Sequence, residues 1–292
     1  MSILVIGATG TIGSLVVQGL AHQGADVTAL VRKTGTLSLP AGVKGAVADL
    51  TDVASMRRAM AGVRTLFLLN ALAADEVTQS LQALNVAREL GIQRIVYLSV
   101  INADLYTDVP HFAGKYTVER MIESLDLPAT ILRPAYFMQN DVQIQPVVEG
   151  YGVFPMPIGA VGCAMVDARD IADVAVAELL RRDRAPAPLP RLTLEVVGPE
   201  VINGPRAAAV WSQALGRDIH YAGDDVQAFE AQLAQNAPGW MAYDLRLMMS
   251  RIQQIGQLAA DGAVQTLEQR LGRPLRTYAA FVAERVAATP AA

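Results

Sequence analysis

Three glycines separated by residue pairs, Gly7-Ala-Thr-Gly10-Thr-Ile-Gly13, follow the apolar run 2–6 and lead into a stretch with Leu15, Val16, Gly19 and Leu20 at helical spacing. The run 2–6 is too short for a helix, so the glycines occupy a loop between a strand and a helix. This frame narrows the possible folds more than any other feature of the chain. Within it, Gly7 can turn tightly out of the strand, Gly10 lets backbone approach a phosphate with no side chain between, and Gly13 lets helix pack on strand. Free N–H groups at the helix start, helped by the positive end of the helix dipole, suit an anion. The same glycines elsewhere would be an ordinary loop; here they read as the pyrophosphate turn of a dinucleotide-binding unit. Thr9, Thr11 and Ile12 would line the turn.

The alternation of short β-branched runs with amphipathic stretches then continues. It predicts strands at 27–31, 45–47, 65–69 and 94–99, and helices at 12–23, 53–60 and 75–89, with Gly62 and Gly91 in position to close two of the helices. Right-handed crossovers leave this βαβ pattern few topologies besides a doubly wound, Rossmann-like α/β fold with a parallel sheet. Further on, the pattern predicts a helix at 112–124, a strand at 129–133, an irregular Gly- and Pro-rich stretch at 148–162 and a helix at 170–180. Arg184-Ala-Pro-Ala-Pro-Leu-Pro190 forbids regular helix and is the expected main boundary. It would divide a nucleotide domain at 1–185, with 148–165 contributing to a substrate cleft, from a smaller, mostly helical substrate domain at 186–292. In the latter, a strand is expected at 192–197 and helices at 206–215, 226–235, 243–260, 266–271 and 277–287.

Net charge is −4 over 292 residues with no basic block, which disfavours nucleic acid and anionic lipid surfaces as partners. Any bound anion must therefore be held locally. Hydrophobic residues at 52% against 18% charged exclude a disordered chain. No apolar run is long enough to span a membrane, and the start MSILVIGATG lacks the pattern of a secretory signal, so a cytoplasmic location is expected. Cys163 is the single cysteine and the three histidines are scattered, so neither an internal disulfide nor a metal site is expected. No Gly-x-Ser-x-Gly elbow points to a hydrolase.

Cofactor type is read at the end of the second predicted strand, where an acidic residue would bind a ribose diol and an arginine a 2′-phosphate. Here the residues are Arg32 and Lys33, while Asp26 lies at the other end of that strand. In an otherwise acidic chain this pair favours NADP(H) over NAD(H); the bland alternative is two solvated basic residues. Asp49, followed by Leu50, could accept from an adenine amino group or cap the next helix. Asn70, Ala71 and Leu72 follow the fourth strand and Ser99 the fifth, at the carboxyl edge where such sheets bind ligands. Ser99 could hydrogen-bond a substrate carbonyl or simply end its strand. Lys115 would enter the crevice from the inner edge of the next helix.

These elements resemble the NmrA-like branch of the atypical short-chain dehydrogenases/reductases. The residues that carry the resemblance are the 7–13 turn, Val31-Arg32-Lys33, His111-Phe-Ala-Gly-Lys115-Tyr-Thr-Val-Glu119, Leu132-Arg-Pro-Ala-Tyr136-Phe137-Met-Gln-Asn140, and Gly272-Arg-Pro-Leu-Arg-Thr-Tyr278 with Phe281. The resemblance implies NAD(P)(H) binding, with members divided between reductases, quinone reductases among them, and regulators that sense cofactor redox state without turnover. It places Lys115 on the nicotinamide ribose. Conventional short-chain reductases use Tyr-x-x-x-Lys, and this chain has His111 where that spacing calls for the tyrosine. An imidazole titrates near roughly pH 6.5 and could protonate a substrate oxygen, or His111 could only orient the loop; Tyr116 is the alternative donor. Tyr136, Phe137 and Asn140 would line the substrate side of the nicotinamide or else belong to the core. Asp167 and Asp170 are read as caps of the following helix, with Asp170 taking its first amides. Trp211, Trp240, Met241, Met248 and Met249 are read as helix packing.

The expected activity is an NADP(H)-dependent transfer of hydride to a small quinone or carbonyl acceptor by a monomer or homodimer. The alternative is a non-catalytic NADP(H) sensor acting through a protein partner. A sugar-nucleotide epimerase is disfavoured by the missing tyrosine.

Overall fold

A computed structural model of the chain describes residues 2–33 and 39–288. In chain order its elements are β1 (Ser2–Val5), α1 (Thr11–His22), β2 (Val27–Val31), β3 (Lys44–Val47), α2 (Val53–Met60), β4 (Val63–Leu68), α3 (Glu76–Glu89), β5 (Ile95–Leu98), α4 (Pro110–Ser124) and β6 (Ala129–Pro134). A 3₁₀ turn at Met138–Val142 precedes α5 (Gln145–Tyr151), β7 (Val153–Phe154), α6 (Ala168–Arg184), β8 (Leu192–Val196), α7 (Gly204–Leu215) and β9 (His220–Tyr221). Four helices follow: α8 (Val226–Leu233), α9 (Gly239–Ile255), α10 (Ala263–Leu271) and α11 (Tyr278–Ala288).

Seven strands form one sheet in the order β3-β2-β1-β4-β5-β6-β8. The pairings from β3 through β6 are parallel. The chain starts in the middle, winds outward through β2 and β3, then returns to the other side of β1. Connections from β1 and β4 thus leave in opposite directions, which opens a crevice at their carboxyl ends. Leu4 and Ile6, Leu66 and Leu68, Ile95 and Tyr97, and Ala129 and Ile131 turn one face of the sheet toward Met56 and Met60 of α2, Leu84 of α3 and Ile122 of α4. The alternate residues Ile3, Val5, Phe67, Val96 and Leu98 are buried as well. Burial on both faces is why these strands read as continuous apolar runs rather than alternating ones.

The chain forms two compact units. The first comprises residues 1–103, 111–133 and 171–194, and the second 104–110, 134–170 and 195–292. The units are therefore not divided at 185/186. The proline run breaks α6 as expected, but the strand after it joins the seven-stranded sheet. Arg182, buried at the end of α6, donates to the carbonyls of Leu189 and Pro190 and to that of Pro128, at 2.9–3.1 Å. Arg64 and Arg94 both donate to the Ala185 carbonyl. Prolines that cannot donate still leave carbonyls to accept, and here three arginines hold the run against the first unit.

In the second unit the stretch expected to be irregular contains α5 and β7, and β7 pairs in parallel with β9 as a separate two-stranded sheet. Strands this short carry too little periodicity to be read from sequence. Asp167, rather than Asp170, accepts from the backbone N–H of Arg169 at 2.8 Å and caps α6. Asp170 lies inside the first turn, where it accepts from Arg273 at 2.7 Å and from Arg276. Trp211, Met248 and Met249 are buried as expected, while Trp240 is exposed.

Candidate cofactor and active site

Gly7 has φ +77°, and a Cβ there would lie 2.6 Å from the carbonyl oxygen of Leu69. At Gly13 a Cβ would meet the Gly7 carbonyl oxygen at 2.0 Å. Both contacts are with backbone, so the turn after β1 is pressed against the end of β4 on one side and against α1 on the other. Gly10 differs: its backbone is extended, at φ −83° and ψ 174°, and the nearest atom to a Cβ there is 3.5 Å away. It precedes α1, which carries no side-chain N-cap and no acidic residue in its first turn. That combination leaves the helix start suited to an anion. Thr9 and Thr11 are exposed, whereas the Ile12 side chain is buried in the core and offers the turn only its backbone.

Arg32 and Lys33 are exposed just beyond β2. Asp26, at the opposite end of that strand, pairs with Lys44 at 2.8 Å. Asp49 does not cap α2, because Asp52 does so by accepting from Ala54 and Ser55. Asp49 Oδ1 instead accepts from the Thr51 backbone N–H at 2.8 Å and the Thr51 hydroxyl at 2.7 Å. These bonds, with the Arg32 charge in addition, hold its carboxyl below the ordinary value, so it stays an exposed acceptor beside Arg32. Leu50 packs against the core, Leu72 is half-buried and Ala71 is exposed.

Two residues expected to face ligand are engaged elsewhere. Asn70 is buried, with its amide on Gln79 at 3.3 Å and its carbonyl accepting from the Ser80 hydroxyl at 2.9 Å, so its carboxamide is turned into α3. Ser99 is 1% exposed and donates to Glu119 Oε1 at 2.5 Å, which removes its hydroxyl from duty as a substrate donor. Arg133 forks onto both oxygens of Glu119 at 3.0 and 2.6 Å. A single buried carboxylate of α4 thereby ties together the carboxyl ends of β5 and β6. Spacing gave no hint of this role for Glu119.

α4 begins at Pro110, a favoured first helical residue, rather than at 112. His111 is therefore inside the first turn and one turn before Lys115 on the same face. It is half-buried, with its ring edge-on to Phe112 at 4.6 Å between centroids. Lys115 is buried and its Nζ lies 2.6 Å from Glu76 Oε1. Tyr116, one residue round the helix, lies under the Arg120 guanidinium.

Tyr136, Phe137 and Asn140 belong to the second unit. Tyr136 is buried and its phenol accepts from Asn140; burial first, then the charge of Asp141, raises it well above the usual tyrosine value, so it holds its proton. Phe137 pairs by backbone with Val166. Beside them Asp141 is fully buried, accepts from the Tyr278 hydroxyl at 2.5 Å and leaves Oδ1 without a hydrogen-bond partner. Trp211 Nε1 in turn donates to Tyr278 at 3.0 Å. The 272–278 segment is thus fastened at two carboxylates, Asp170 and Asp141.

Desolvation raises Asp141 to about 7, against the opposing bond from Tyr278. A carboxyl raised on folding favours the native state at low pH and loses that contribution as pH rises through the folded value. At about 1.4 kcal/mol per unit, the ionised form costs on the order of 4 kcal/mol at the top of the range. Asp141→Asn is expected to raise the melting temperature most at pH 8, less at pH 5, and to leave it nearly unchanged at about pH 3, below the ordinary carboxyl value of 3.8. Equal shifts at pH 8 and pH 3 would show that Asp141 does not titrate in the folded protein.

Among the described residues no cluster of His, Cys, Asp and Glu could hold a metal ion, and no helix is long and apolar enough to cross a membrane.

Comparison with known proteins places these features in context. The family model of the NmrA-like family matches residues 1–276. The chain is 32% identical over 296 residues to an NAD(P)H azoreductase of Xenophilus azovorans, covering 99% of this chain and 100% of that one. It is 30% identical to a (4-alkanoyl-5-oxo-2,5-dihydrofuran-3-yl)methyl phosphate reductase of Streptomyces griseus, with 98% of each chain covered. Its fold is shared with the NADPH-dependent quinone oxidoreductase 2 of Escherichia coli, at a TM-score of 0.83 and 23% identity over 98% of this chain and 99% of the other.

Proposed function

The chain belongs to the NmrA-like family, and from that premise we propose that it is an NADP(H)-dependent oxidoreductase whose acceptor is a small quinone or carbonyl compound. The observation that carries the reading is the 7–13 turn: backbone contacts exclude a side chain at Gly7 and Gly13 but tolerate a Cβ at Gly10, before an uncapped helix start. A ligand with a pyrophosphate fits that donor set. Reductase names of the two relatives at 30% identity or more support the same class of chemistry.

When bound, the reduced nicotinamide supplies the hydride. The backbone of the turn holds the pyrophosphate, and Arg32 with Lys33 takes the 2′-phosphate. Lys115 holds the nicotinamide ribose and fixes the ring. Ser99 acts at one remove, through Glu119 and Arg133, by keeping the ends of β5 and β6 in place. His111, on the Lys115 face of α4, is the proton source for an acceptor that needs one. A quinone needs little such help, since the hydroquinone anion formed by hydride addition is delocalised. That agrees with a site whose sequence carries histidine in place of the usual tyrosine.

NADPH is expected to bind at least about tenfold more tightly than NADH, or 1.4 kcal/mol, because Arg32 gains a charge-assisted partner only in the 2′-phosphate. Arg32→Glu should reverse the preference in fluorescence titrations. Equal affinity for the two cofactors before and after the change would remove the basis for NADP(H). Consumption of NADPH against a panel of quinones and aldehydes tests the activity itself: binding with no turnover on any of them would overturn the enzyme in favour of a sensor.

A further inference from the structure

Lys115 is paired with a residue that no motif singles out. Glu76 stands in the first turn of α3, following the loop from β4, and its carboxylate meets the Lys115 ammonium at 2.6 Å with the side chains only 6% and 11% exposed. Two buried charges each lose their hydration, and an ion pair of this kind is weak as a device for stability alone, since apolar side chains of similar volume often serve as well. Both oxygens of Glu76 are buried without a hydrogen-bond partner, so the contact with Lys115 is a charge pair alone, which adds to the cost. Glu119, one turn on from Lys115 in α4, has both oxygens taken by Arg133 and Ser99. An ammonium has three N–H donors, and the Glu76 oxygens accept none of them.

We propose that Glu76 is the positioning residue of the cofactor site: its charge holds the Lys115 ammonium where the N–H groups meet the ribose hydroxyls of the bound nucleotide. The inference rests on the assignment of Lys115 to that ribose. Tyr97 on β5 lies near both Glu76 and Glu119, His111 and Glu119 stand one turn either side of Lys115 on α4, and Arg133 on β6 is committed to Glu119. The Tyr97 phenol is buried without a partner and is held well above its ordinary value by burial, then by Glu76 and Glu119. It is therefore no anion and cannot replace Glu76. Without the Glu76 charge the buried ammonium has no such anchor, and its bonds to the ribose are lost or misdirected.

The test is the NADPH dissociation constant, measured on the whole protein as wild type, Glu76→Gln, Glu76→Asp, Lys115→Met and the Glu76→Gln/Lys115→Met and Glu76→Asp/Lys115→Met double variants. Glu76→Gln should weaken binding by about tenfold, the scale of one hydrogen bond to a charged group. Glu76→Asp, which keeps the charge on a shorter arm, should recover part of that loss. In the Lys115→Met background, Glu76→Gln should change affinity no further. Wild-type affinity in Glu76→Gln, or an equal loss with and without Lys115, would overturn the proposal and leave the Lys115 assignment standing. Wild-type affinity in Lys115→Met would instead overturn both. Should Glu76→Gln fail to fold by circular dichroism, Glu76→Asp decides: weaker binding only when Lys115 is present supports the proposal, and wild-type affinity or an equal loss in both backgrounds refutes it.

Discussion

Gly13→Ala is expected to leave little folded protein, while Gly10→Val, three residues earlier, folds and loses its affinity for NADPH. At Gly13 the added Cβ would lie 2.0 Å from the Gly7 carbonyl oxygen, 2.6 Å from its carbon and 3.0 Å from Ala8 Cα. All three atoms are backbone of a turn that is itself pressed against Leu69, so no side chain can swing aside. Overpacking of this kind costs roughly 1–3 kcal/mol where relief is available and more where it is not. At Gly10 the nearest atom is 3.5 Å away and the extended backbone suits any residue. The valine methyls would fill the space proposed for the pyrophosphate. Circular dichroism melts and NADPH fluorescence titrations separate the two. A Gly13→Ala protein that melts within a few degrees of wild type, or a folded Gly10→Val protein with unchanged affinity, would contradict the roles given to these glycines.

Lys115→Met is expected to lower kcat/KM for a quinone acceptor by about 10²-fold, some 2.7 kcal/mol, and to weaken NADPH binding less. A misplacement of the reacting carbon by about 1 Å is enough for such a loss, and in the proposed site the ribose contact is what fixes the ring. His111→Ala should lower turnover of carbonyl acceptors more than of quinones, because only the former need a proton donor of moderate strength. Full turnover by Lys115→Met would remove Lys115 from the reaction centre. Equal losses on both acceptor types for His111→Ala would mark the histidine as a packing residue of α4 rather than a proton source.

The doubly wound sheet was legible because its signals are local. β-branched runs, a glycine at each tight turn and helical spacing each lie within a dozen residues, and β2 and α2 lie where the pattern predicts them. The turn at 7–13 was legible for the same reason. What escaped were relations between distant segments. Glu76 looks like an ordinary acidic residue in a helix's first turn, and only folding brings it against Lys115. Glu119 carries no motif of its own, yet its carboxylate decides that the Ser99 hydroxyl is spoken for. The proline run reads as a boundary because its missing donors are visible in sequence, while two of the three arginines that fasten its carbonyls, Arg64 and Arg94, lie 121 and 91 positions away.

The interleaving of the two units has a consequence for how the protein is made. Residues 134–170 of the second unit leave the ribosome before residues 171–194 of the first, which include most of α6 and the start of β8. Arg182, the buried anchor of that late stretch, bonds Thr130 on β6, emitted some fifty positions earlier. An amino-terminal fragment ending near residue 133 would therefore expose the β6 edge and leave Thr130 and the Pro128 carbonyl without Arg182. Nascent chains are expected to become protease-resistant in one late step, after residue 194 has emerged, rather than domain by domain.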